Sequence, residues 1–271
     1  MPHVETRDGS ALFTTDRGQG PAVLFVHSWG VHAQMWQYQM SFLLERGYRV
    51  VSYDRRGHGR SDEPGSGYDY DTLADDLAAV IAARDLNGVT LVGHSMGCGE
   101  IVRYLSRHGN GRVGRIVLVA PSMPCLTKSA DNPDGVDESA FETMRAVWRK
   151  DFPGWLADNT QPFFTRETSP EMMRWAAGML LATPLDVLIA CNLTVTRSDL
   201  RGDTARVGVP TLVIHGDADQ SAPLALTGRK VAALIAHCRF EIYAGAPHGL
   251  FLTHMDRLNA DLLDFVADGN A

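Results

Sequence analysis

Short apolar runs alternate with amphipathic stretches along most of this 271-residue chain. The apolar runs predict strands near residues 23–27, 49–53, 89–93, 116–120, 211–215 and 240–243. Apolar positions at helical spacing predict helices between them, notably over 72–86 and 96–108, and a short antiparallel pair precedes them over 4–6 and 11–15. Strands alternating with helices build a mostly parallel sheet with helices on both faces, which binds ligands at the carboxyl ends of its strands. The pattern therefore predicts an α/β fold.

The alternation is interrupted once, between residues 122 and 209. This stretch has no convincing strand pattern and is rich in methionine and aromatic residues. Its large apolar side chains recur at roughly helical intervals, and they are Met144, Val147, Trp148, Phe152, Trp155, Leu156, Phe163, Phe164, Met172, Met173, Trp175 and Met179. We expect a helical cap, residues 122–209, inserted into a core domain made of residues 1–121 and 210–271.

A Gly-x-Ser-x-Gly sequence, Gly93-His94-Ser95-Met96-Gly97, lies directly between a predicted strand and a predicted helix. In such an elbow the serine occupies a strained turn, where a side chain at either flanking glycine would collide with neighbouring backbone. The turn pushes the serine hydroxyl out over the edge of the sheet. Ser95 is therefore the candidate nucleophile.

A serine hydroxyl needs a base to remove its proton and an acid to orient that base. With this elbow the partners follow in the order Ser, Asp or Glu, His, at the ends of later strands. His248 lies in a Gly- and Pro-rich loop after the strand at 240–243, which makes it the candidate base. Asp217 and Asp219 both follow the strand at 211–215. We assign the acid to Asp219, and to Asp217 the binding of backbone N–H groups that Asp commonly performs in turns.

Three other histidines adjoin these segments. His27 and His94 stand at predicted strand ends, and His58 lies in an Arg-Gly-His-Gly-Arg loop. We interpret all three as hydrogen-bonded scaffold groups. The sequence has no His, Cys, Asp and Glu set with metal-ligand spacing, so we expect neither a metal nor another cofactor.

Four further segments accompany the elbow: Val-His-Ser-Trp-Gly at 26–30, Val-Ser-Tyr-Asp-Arg-Arg-Gly-His-Gly-Arg-Ser at 51–61, Ile-His-Gly-Asp-Ala-Asp-Gln at 214–220 and Gly-Ala-Pro-His-Gly-Leu at 245–250. Together they resemble the α/β-hydrolase family, within it the branch of small bacterial aryl esterases, perhydrolases and cofactor-free haloperoxidases. In that branch the acid is the Asp before Gln and the base is the His of the Pro-His-Gly loop. The resemblance therefore implies Asp219 and His248, as the residues themselves do.

An oxyanion hole needs two donors, commonly main-chain N–H groups. One is expected from Met96, which follows the nucleophile at the N-terminal end of a helix. The resemblance implies that the other belongs to Trp29. Here the chain departs from the family, which more often has Gly after the His and often Pro after the aromatic residue, where Ser28 and Gly30 stand.

The departure at Gly30 bears on the nucleophile that attacks the acyl-enzyme. Proline fixes φ near about −65°, which can hold the loop so that a main-chain carbonyl accepts a hydrogen bond from peroxide. With glycine we expect hydrolysis to dominate over perhydrolysis. We also expect Gly30→Pro to raise the ratio of peracid to acid, provided that the loop accepts proline.

A cap over a hydrolase site presents some apolar surface to the substrate. Besides Trp29 and Met96, the residues that we assign to this pocket are Met123, Phe152, Trp155, Phe163, Ser221 and Leu250. None of them is Arg or Lys, which disfavours a strongly anionic substrate.

The formal net charge of −7 and the lack of a basic cluster argue against nucleic acid as a partner. The four cysteines, Cys98, Cys125, Cys191 and Cys238, are far apart and indicate reduced, mostly buried thiols. We find no signal-peptide pattern at the amino terminus and no apolar run long enough for a membrane span. These features predict a cytoplasmic enzyme without a membrane partner.

The main interpretation is a serine hydrolase that cleaves small, fairly apolar carboxylic esters or lactones through an acyl-enzyme. A second is a perhydrolase or cofactor-free haloperoxidase-type activity, in which hydrogen peroxide replaces water and the peracid oxidises halide. A third is a ligand receptor that keeps a hydrolase triad with little turnover. Dehalogenase and epoxide hydrolase chemistry are disfavoured, because those relatives use a carboxylate where this chain has Ser95.

Overall fold

A computed structural model of the chain describes residues 2–267. Within them, eight strands form one sheet in the order β1-β2-β4-β3-β5-β6-β7-β8. The strands are β1 His3–Glu5, β2 Ala11–Arg17, β3 Ala22–Val26, β4 Arg49–Tyr53, β5 Val89–His94, β6 Val113–Val119, β7 Thr211–Gly216 and β8 Cys238–Tyr243. β1 and β2 pair antiparallel, and all pairs from β4 to β8 are parallel. The predicted α/β fold with a mostly parallel sheet is confirmed.

Helices cover both faces of this sheet. They are α1 Gln37–Leu44, α2 Tyr70–Ala83, α3 Met96–His108, α4 Glu138–Asn159, α5 Pro170–Leu181, α6 Leu185–Arg197, α7 Arg201–Ala205, α8 Gly228–Leu234, α9 Leu250–Thr253 and α10 Met255–Ala267. Short 3₁₀ turns occupy Ala33–Trp36 and Gln161–Phe163.

The core consists of two apolar layers, one on each face of the sheet. Successive residues of a strand point to opposite faces, so Leu24 of β3 packs into one layer and Phe25 into the other. The first layer includes Leu77 of α2 and the second Leu262 of α10. Burial on both faces explains why these strands read as continuous apolar runs in the sequence.

Two element boundaries differ from the predicted ones. α2 starts at Tyr70, because the Asp69 side chain accepts the N–H of Thr72 at 3.0 Å and caps the helix there. It ends at Ala83, and Asp85 beyond it has a left-handed φ of 46°. β6 begins at Val113, earlier than predicted, because pairing with β5 overrides the poor strand propensity of Gly114.

The segment between β6 and β7 contains α4 to α7. No strand lies between residues 122 and 209, all of which the structure describes, as the pattern predicted. α4 is kinked at Asp151, whose carboxylate accepts the N–H of Gly154 at 2.9 Å and starts the second half of the helix. Within residues 2–267 no single helix is long and apolar enough to cross a membrane, and only α5 and α6 taken together, with a 93° bend, reach that length and composition.

Candidate active site

Ser95 occupies the sharp turn between β5 and α3. Its backbone is strained, with φ 55° and ψ −116°, as the elbow predicts. A Cβ on Gly97 would stand 2.7 Å from the carbonyl oxygen of Val26, and one on Gly93 would stand 2.9 Å from the backbone of Gly97. Both glycines are therefore required by the close approach of the elbow to the neighbouring backbone.

The three predicted triad side chains form one hydrogen-bonded chain. His248 Nε2 lies 3.0 Å from Ser95 Oγ, and His248 Nδ1 lies 2.6 Å from Asp219 Oδ2. All three are at most 6% exposed. A substrate must therefore reach a nearly closed site.

Asp219 is held in its charged form. Burial alone would raise the pKa of its carboxyl, but the electrostatic interaction with His248 and hydrogen bonds from His215, His248 and the Ala222 N–H lower the pKa well below its usual range. Its Oδ1 accepts the N–H groups of Ser221 and Ala222 at 2.9 and 2.8 Å. The carboxylate is thus fixed, with Oδ2 turned toward His248.

Asp217 is placed differently from Asp219. It is exposed, and its Oδ1 accepts the N–H of Gly245 at 2.6 Å, which ties the β7 turn to the loop after β8. Asp219 also accepts backbone N–H groups, so this role alone does not distinguish the two residues. The contact with the histidine distinguishes the two residues.

Two further buried histidines contact the members of the triad. His94 Nε2 donates to the carbonyl oxygen of His248 at 2.9 Å, and the two rings pack with centroids 4.7 Å apart. His215 Nε2 lies 3.1 Å from Asp219 Oδ2 and 2.8 Å from the carbonyl oxygen of Ala222. Among the described hydrogen bonds, none joins His94 or His215 to Ser95. This fits the interpretation of His94 as a scaffold group.

The loop after β3, which carries Trp29, rests on a buried charged group. Arg55 donates to the carbonyl oxygens of His27 and Ser28 at 2.8 and 3.2 Å, and its Nε donates to Glu100 of α3 at 2.8 Å. Neither side chain has any exposed surface, and burial raises the pKa of the Glu100 carboxyl well above its usual value. Arg55 therefore fixes the main chain just before the predicted oxyanion donor.

Met96 is the first residue of α3, so its N–H is one of those that a helix leaves without an intrahelical acceptor. The Trp29 ring stacks on Trp148 with centroids 5.0 Å apart, and its Nε1 donates to the carbonyl oxygen of Leu188 at 2.8 Å. Helices α4 and α6 therefore hold the side chain of Trp29.

Gly30 has a φ of 69°, which proline cannot adopt. A Cβ there would also stand 2.7 Å from Leu180 and 2.8 Å from Leu188, and Thr183 donates to its carbonyl oxygen at 2.9 Å. The condition attached to Gly30→Pro, that the loop accepts proline, is therefore not met. This variant would disturb the fold and cannot test perhydrolysis.

The residues predicted to line the pocket fall in three places. The Phe163 ring lies 5.6 Å from that of His248, and its carbonyl oxygen accepts the N–H of Gly249 at 3.0 Å. Phe152 and Trp155 stack on each other in the aromatic cluster around Trp29. The remaining three are Met123, which is buried after β6, Leu250, which is buried at the start of α9, and Ser221, which is exposed and contacts Asp219 through its N–H.

A cleft of about 480 Å³ opens beside the aromatic cluster, lined among others by Trp148, Phe152 and Leu188. Its lining also includes Arg149, Lys150 and Asp151, and it contains none of the three triad residues. Within residues 2–267, no group of three or more His, Cys, Asp or Glu side chains has a metal-binding arrangement.

Sequence reasoning missed Ser122, whose Oγ lies 2.8 Å from Ser95 Oγ. The sequence could have indicated this residue, because Ser122 follows β6, and β6 is a neighbour of β5, the strand that leads to Ser95. It also missed the Arg55–Glu100 pair. Nothing in the local sequence of these residues indicates that they meet.

Three fully buried histidines, His27, His58 and His94, indicate that the fold loses stability at low pH. Burial, assisted by the charge of Arg55, lowers the pKa of His58 to about 3, and burial lowers the pKa values of the other two well below the usual value. As pH falls below about 6.5, these histidines bind protons in the unfolded chain but stay neutral in the native state. Each histidine then lowers the free energy of unfolding by about 1.4 kcal/mol per pH unit.

We therefore expect the free energy of unfolding to fall between pH 6 and 4.5, by at most about 1.4 kcal/mol per pH unit for each of these histidines. The buried Glu100, whose pKa is raised by burial, offsets part of this loss, because its native carboxyl binds a proton that the unfolded chain lacks. Denaturant unfolding across this range measures the slope, and His58→Gln should make it shallower. Stability that stays level down to pH 4.5 would contradict neutral burial of these rings.

Comparisons with known proteins agree with the sequence resemblance. The family model described as alpha/beta hydrolase fold matches residues 21–255. The chain is 41% identical over 276 residues to a non-heme chloroperoxidase of Streptomyces lividans, covering 98% of this chain and 99% of that protein. It is 34% identical over 278 residues to a bifunctional esterase/perhydrolase of Acinetobacter calcoaceticus, covering 98% and 99%. An esterase structure from Exiguobacterium antarcticum covers 98% of both chains with a TM-score of 0.94 and 30% identity. The chain is an enzyme of the α/β-hydrolase family.

Proposed function

We propose that the protein is a serine hydrolase that cleaves small, fairly apolar carboxylic esters or lactones through an acyl-enzyme. The observation that carries this proposal is the continuous hydrogen-bonded chain from Asp219 through His248 to Ser95. Because Asp219 stays ionised and accepts from Nδ1, His248 presents Nε2 as an acceptor to the serine hydroxyl. The elbow holds that hydroxyl beside the first turn of α3.

In the proposed reaction Ser95 Oγ attacks the ester carbonyl while its proton passes to His248 Nε2. The main-chain N–H groups of Trp29 and Met96 bind the oxyanion, and the positive end of the α3 dipole adds to this stabilisation. His248 then gives the proton to the leaving alcohol. Water, activated by the same ring, attacks the acyl-enzyme and releases the acid.

The preference for neutral, apolar substrates is supported by the side chains that surround the nucleophile. Phe163 packs against His248, and the nearby His94 is buried with its pKa well below the usual value, so it adds no cationic charge. A carboxylate on the substrate would find no counter-ion in these groups.

We further propose that residues 122–209 act as a cap on a core of residues 1–121 and 210–271. This segment touches both sides of the site. Phe163 accepts a hydrogen bond from Gly249 beside the base, and Leu188 accepts one from the Trp29 ring beside the oxyanion loop. Movement of the cap would therefore alter access and the oxyanion loop together.

Perhydrolysis is the second candidate activity, supported by the similarity to the esterase/perhydrolase and chloroperoxidase described above. Hydrogen peroxide would attack the same acyl-enzyme in place of water and yield a peracid, which oxidises halide in solution. Halogenation would then be a consequence of acyl transfer. We expect hydrolysis to remain the faster outcome.

Turnover tests the proposed function directly. Purified protein should release many equivalents of p-nitrophenol from the acetate and butyrate esters, and it should prefer them to an ester that carries a free carboxylate. Aliphatic esters and lactones, with and without peroxide, define the class further. A single slow burst without further turnover would favour the receptor hypothesis over an enzyme.

A further inference from the structure

The hydroxyl of Ser122 lies against the nucleophile. Ser122 is buried, and its Oγ is 2.8 Å from Ser95 Oγ. It follows β6, whose last residue, Val119, accepts the Ser95 N–H at 3.0 Å. Ala120, next in the chain, has a φ of 44°, a left-handed conformation that is uncommon for alanine. Strain of this kind is held in place by the surrounding structure and clusters at functional sites.

The proton positions follow from the hydrogen-bonded chain. Asp219 accepts the Nδ1 proton of His248, so Nε2 is the acceptor for the single hydroxyl proton of Ser95. Ser122 must then be the donor to Ser95 Oγ. A donating hydroxyl keeps two lone pairs with which it can accept a further hydrogen bond.

We propose that Ser122 is a catalytic residue of deacylation that accepts a hydrogen bond from the attacking water and thereby favours hydrolysis over perhydrolysis. The inference rests on the function proposed above. In the acyl-enzyme, Ser95 Oγ is an ester oxygen and a weaker acceptor, which releases the Ser122 hydroxyl. His248 Nε2 and Ser122 Oγ each lie within 3.0 Å of Ser95 Oγ, so about 6 Å at most separates them, and one water oxygen can contact both.

The step conserves every proton. The water oxygen bonds to the acyl carbon, one water proton moves to His248 Nε2, and the other stays on the attacking oxygen, where Ser122 Oγ accepts it in a hydrogen bond. The bond between the acyl carbon and Ser95 Oγ then breaks, and His248 returns its proton to Ser95 Oγ. The products are the carboxylic acid and the free serine.

Hydrogen peroxide gains less from Ser122. Its attacking oxygen carries a single proton, which passes to His248, and its second proton is on the distal oxygen. A hydrogen-bond acceptor placed for the attacking oxygen therefore assists water more than peroxide. Ser122 biases the partition of the acyl-enzyme toward the acid.

Substitution of Ser122 tests this bias. Rapid mixing with p-nitrophenyl butyrate separates acylation from deacylation, and the peracid and acid formed at a fixed peroxide concentration give the partition. In Ser122→Ala we expect deacylation to slow about tenfold, the effect of one lost hydrogen bond, while acylation stays within about threefold. The ratio of peracid to acid should rise severalfold, and Ser122→Thr, which keeps a hydroxyl, should restore both.

Ser61→Ala is the matched control, because Ser61 is also buried and donates to the carbonyl oxygen of Asp54 at 2.5 Å, away from the triad. It should lower thermal stability and leave the product ratio unchanged. Equal slowing of both steps in Ser122→Ala, or an unchanged ratio, would overturn the role of Ser122. Failure of the proposed function has a different signature, since the unaltered protein would then form no acyl-enzyme at all.

Discussion

Ser95→Ala should lower kcat for p-nitrophenyl butyrate by on the order of 10⁴ or more. The variant loses the oxygen that bonds to the acyl group, and no neighbouring hydroxyl replaces it, because Ser122 Oγ lies 2.8 Å away from Ser95 Oγ and has no hydrogen bond to His248. Alanine tolerates the φ of 55° about as poorly as serine, so the elbow should keep its shape. Steady-state kinetics and a thermal unfolding curve measure the two effects.

A fluorophosphonate probe provides the second measurement on the same variant. The unaltered protein should take up one label, located on the peptide that contains Ser95, and Ser95→Ala should take up none. Ser106→Ala is a suitable control, because Ser106 lies on the same helix and donates to Asp203 outside the site. Substantial activity in Ser95→Ala would end the serine-hydrolase proposal.

The elbow and the triad contacts could be predicted because each follows from a pattern that is visible along the chain. Gly93 and Gly97 are required wherever a strand turns this sharply into a helix, and that requirement is visible in five residues. His248 and Asp219 lie directly after parallel strands, and parallel strands bring their carboxyl ends to one edge of a sheet. Order along the chain was therefore enough to place these side chains together.

The contacts that the sequence did not reveal depend on side chains from distant elements. Ser122 contacts Ser95 from a segment in which Ala120 takes a left-handed conformation after β6. Arg55, which follows β4, contacts Glu100 of α3, and no local pattern encodes this contact. A pattern of apolar residues predicts which faces are buried, and it carries little information about which polar groups share the interior.

The surroundings of Gly30 also depend on distant elements that the sequence did not reveal. The family comparison suggested a proline at this position, and the sequence alone treated glycine as a freer version of the same loop. In the fold, Gly30 has a positive φ and lies close to Leu180 of α5 and Leu188 of α6. This backbone conformation requires glycine at position 30. Substitution by proline would therefore not give the loop the geometry that it has in relatives with proline.

Asp219→Asn should lower kcat by about 10³ to 10⁴ while the protein stays folded. The N–H groups of Ser221 and Ala222 fix the orientation of the new side chain, because they require the carbonyl oxygen at the Oδ1 position. The amide NH₂ then faces His248 Nδ1, where it can only donate. His248 must then adopt the tautomer in which Nδ1 is unprotonated and accepts from this amide. In that tautomer Nε2 carries the proton and cannot take the proton of Ser95.

Asp217→Asn is the matched control from the same turn. Its carbonyl oxygen can still accept the Gly245 N–H, and the exposed side chain has no contact with His248, so activity should stay within about threefold, with a small loss of thermal stability. Kinetics on p-nitrophenyl butyrate and thermal unfolding of both variants separate the two roles. An inactive, folded Asp217→Asn beside an active Asp219→Asn would transfer the acid to Asp217, because only the acid that orients the base changes kcat by orders of magnitude without unfolding the chain.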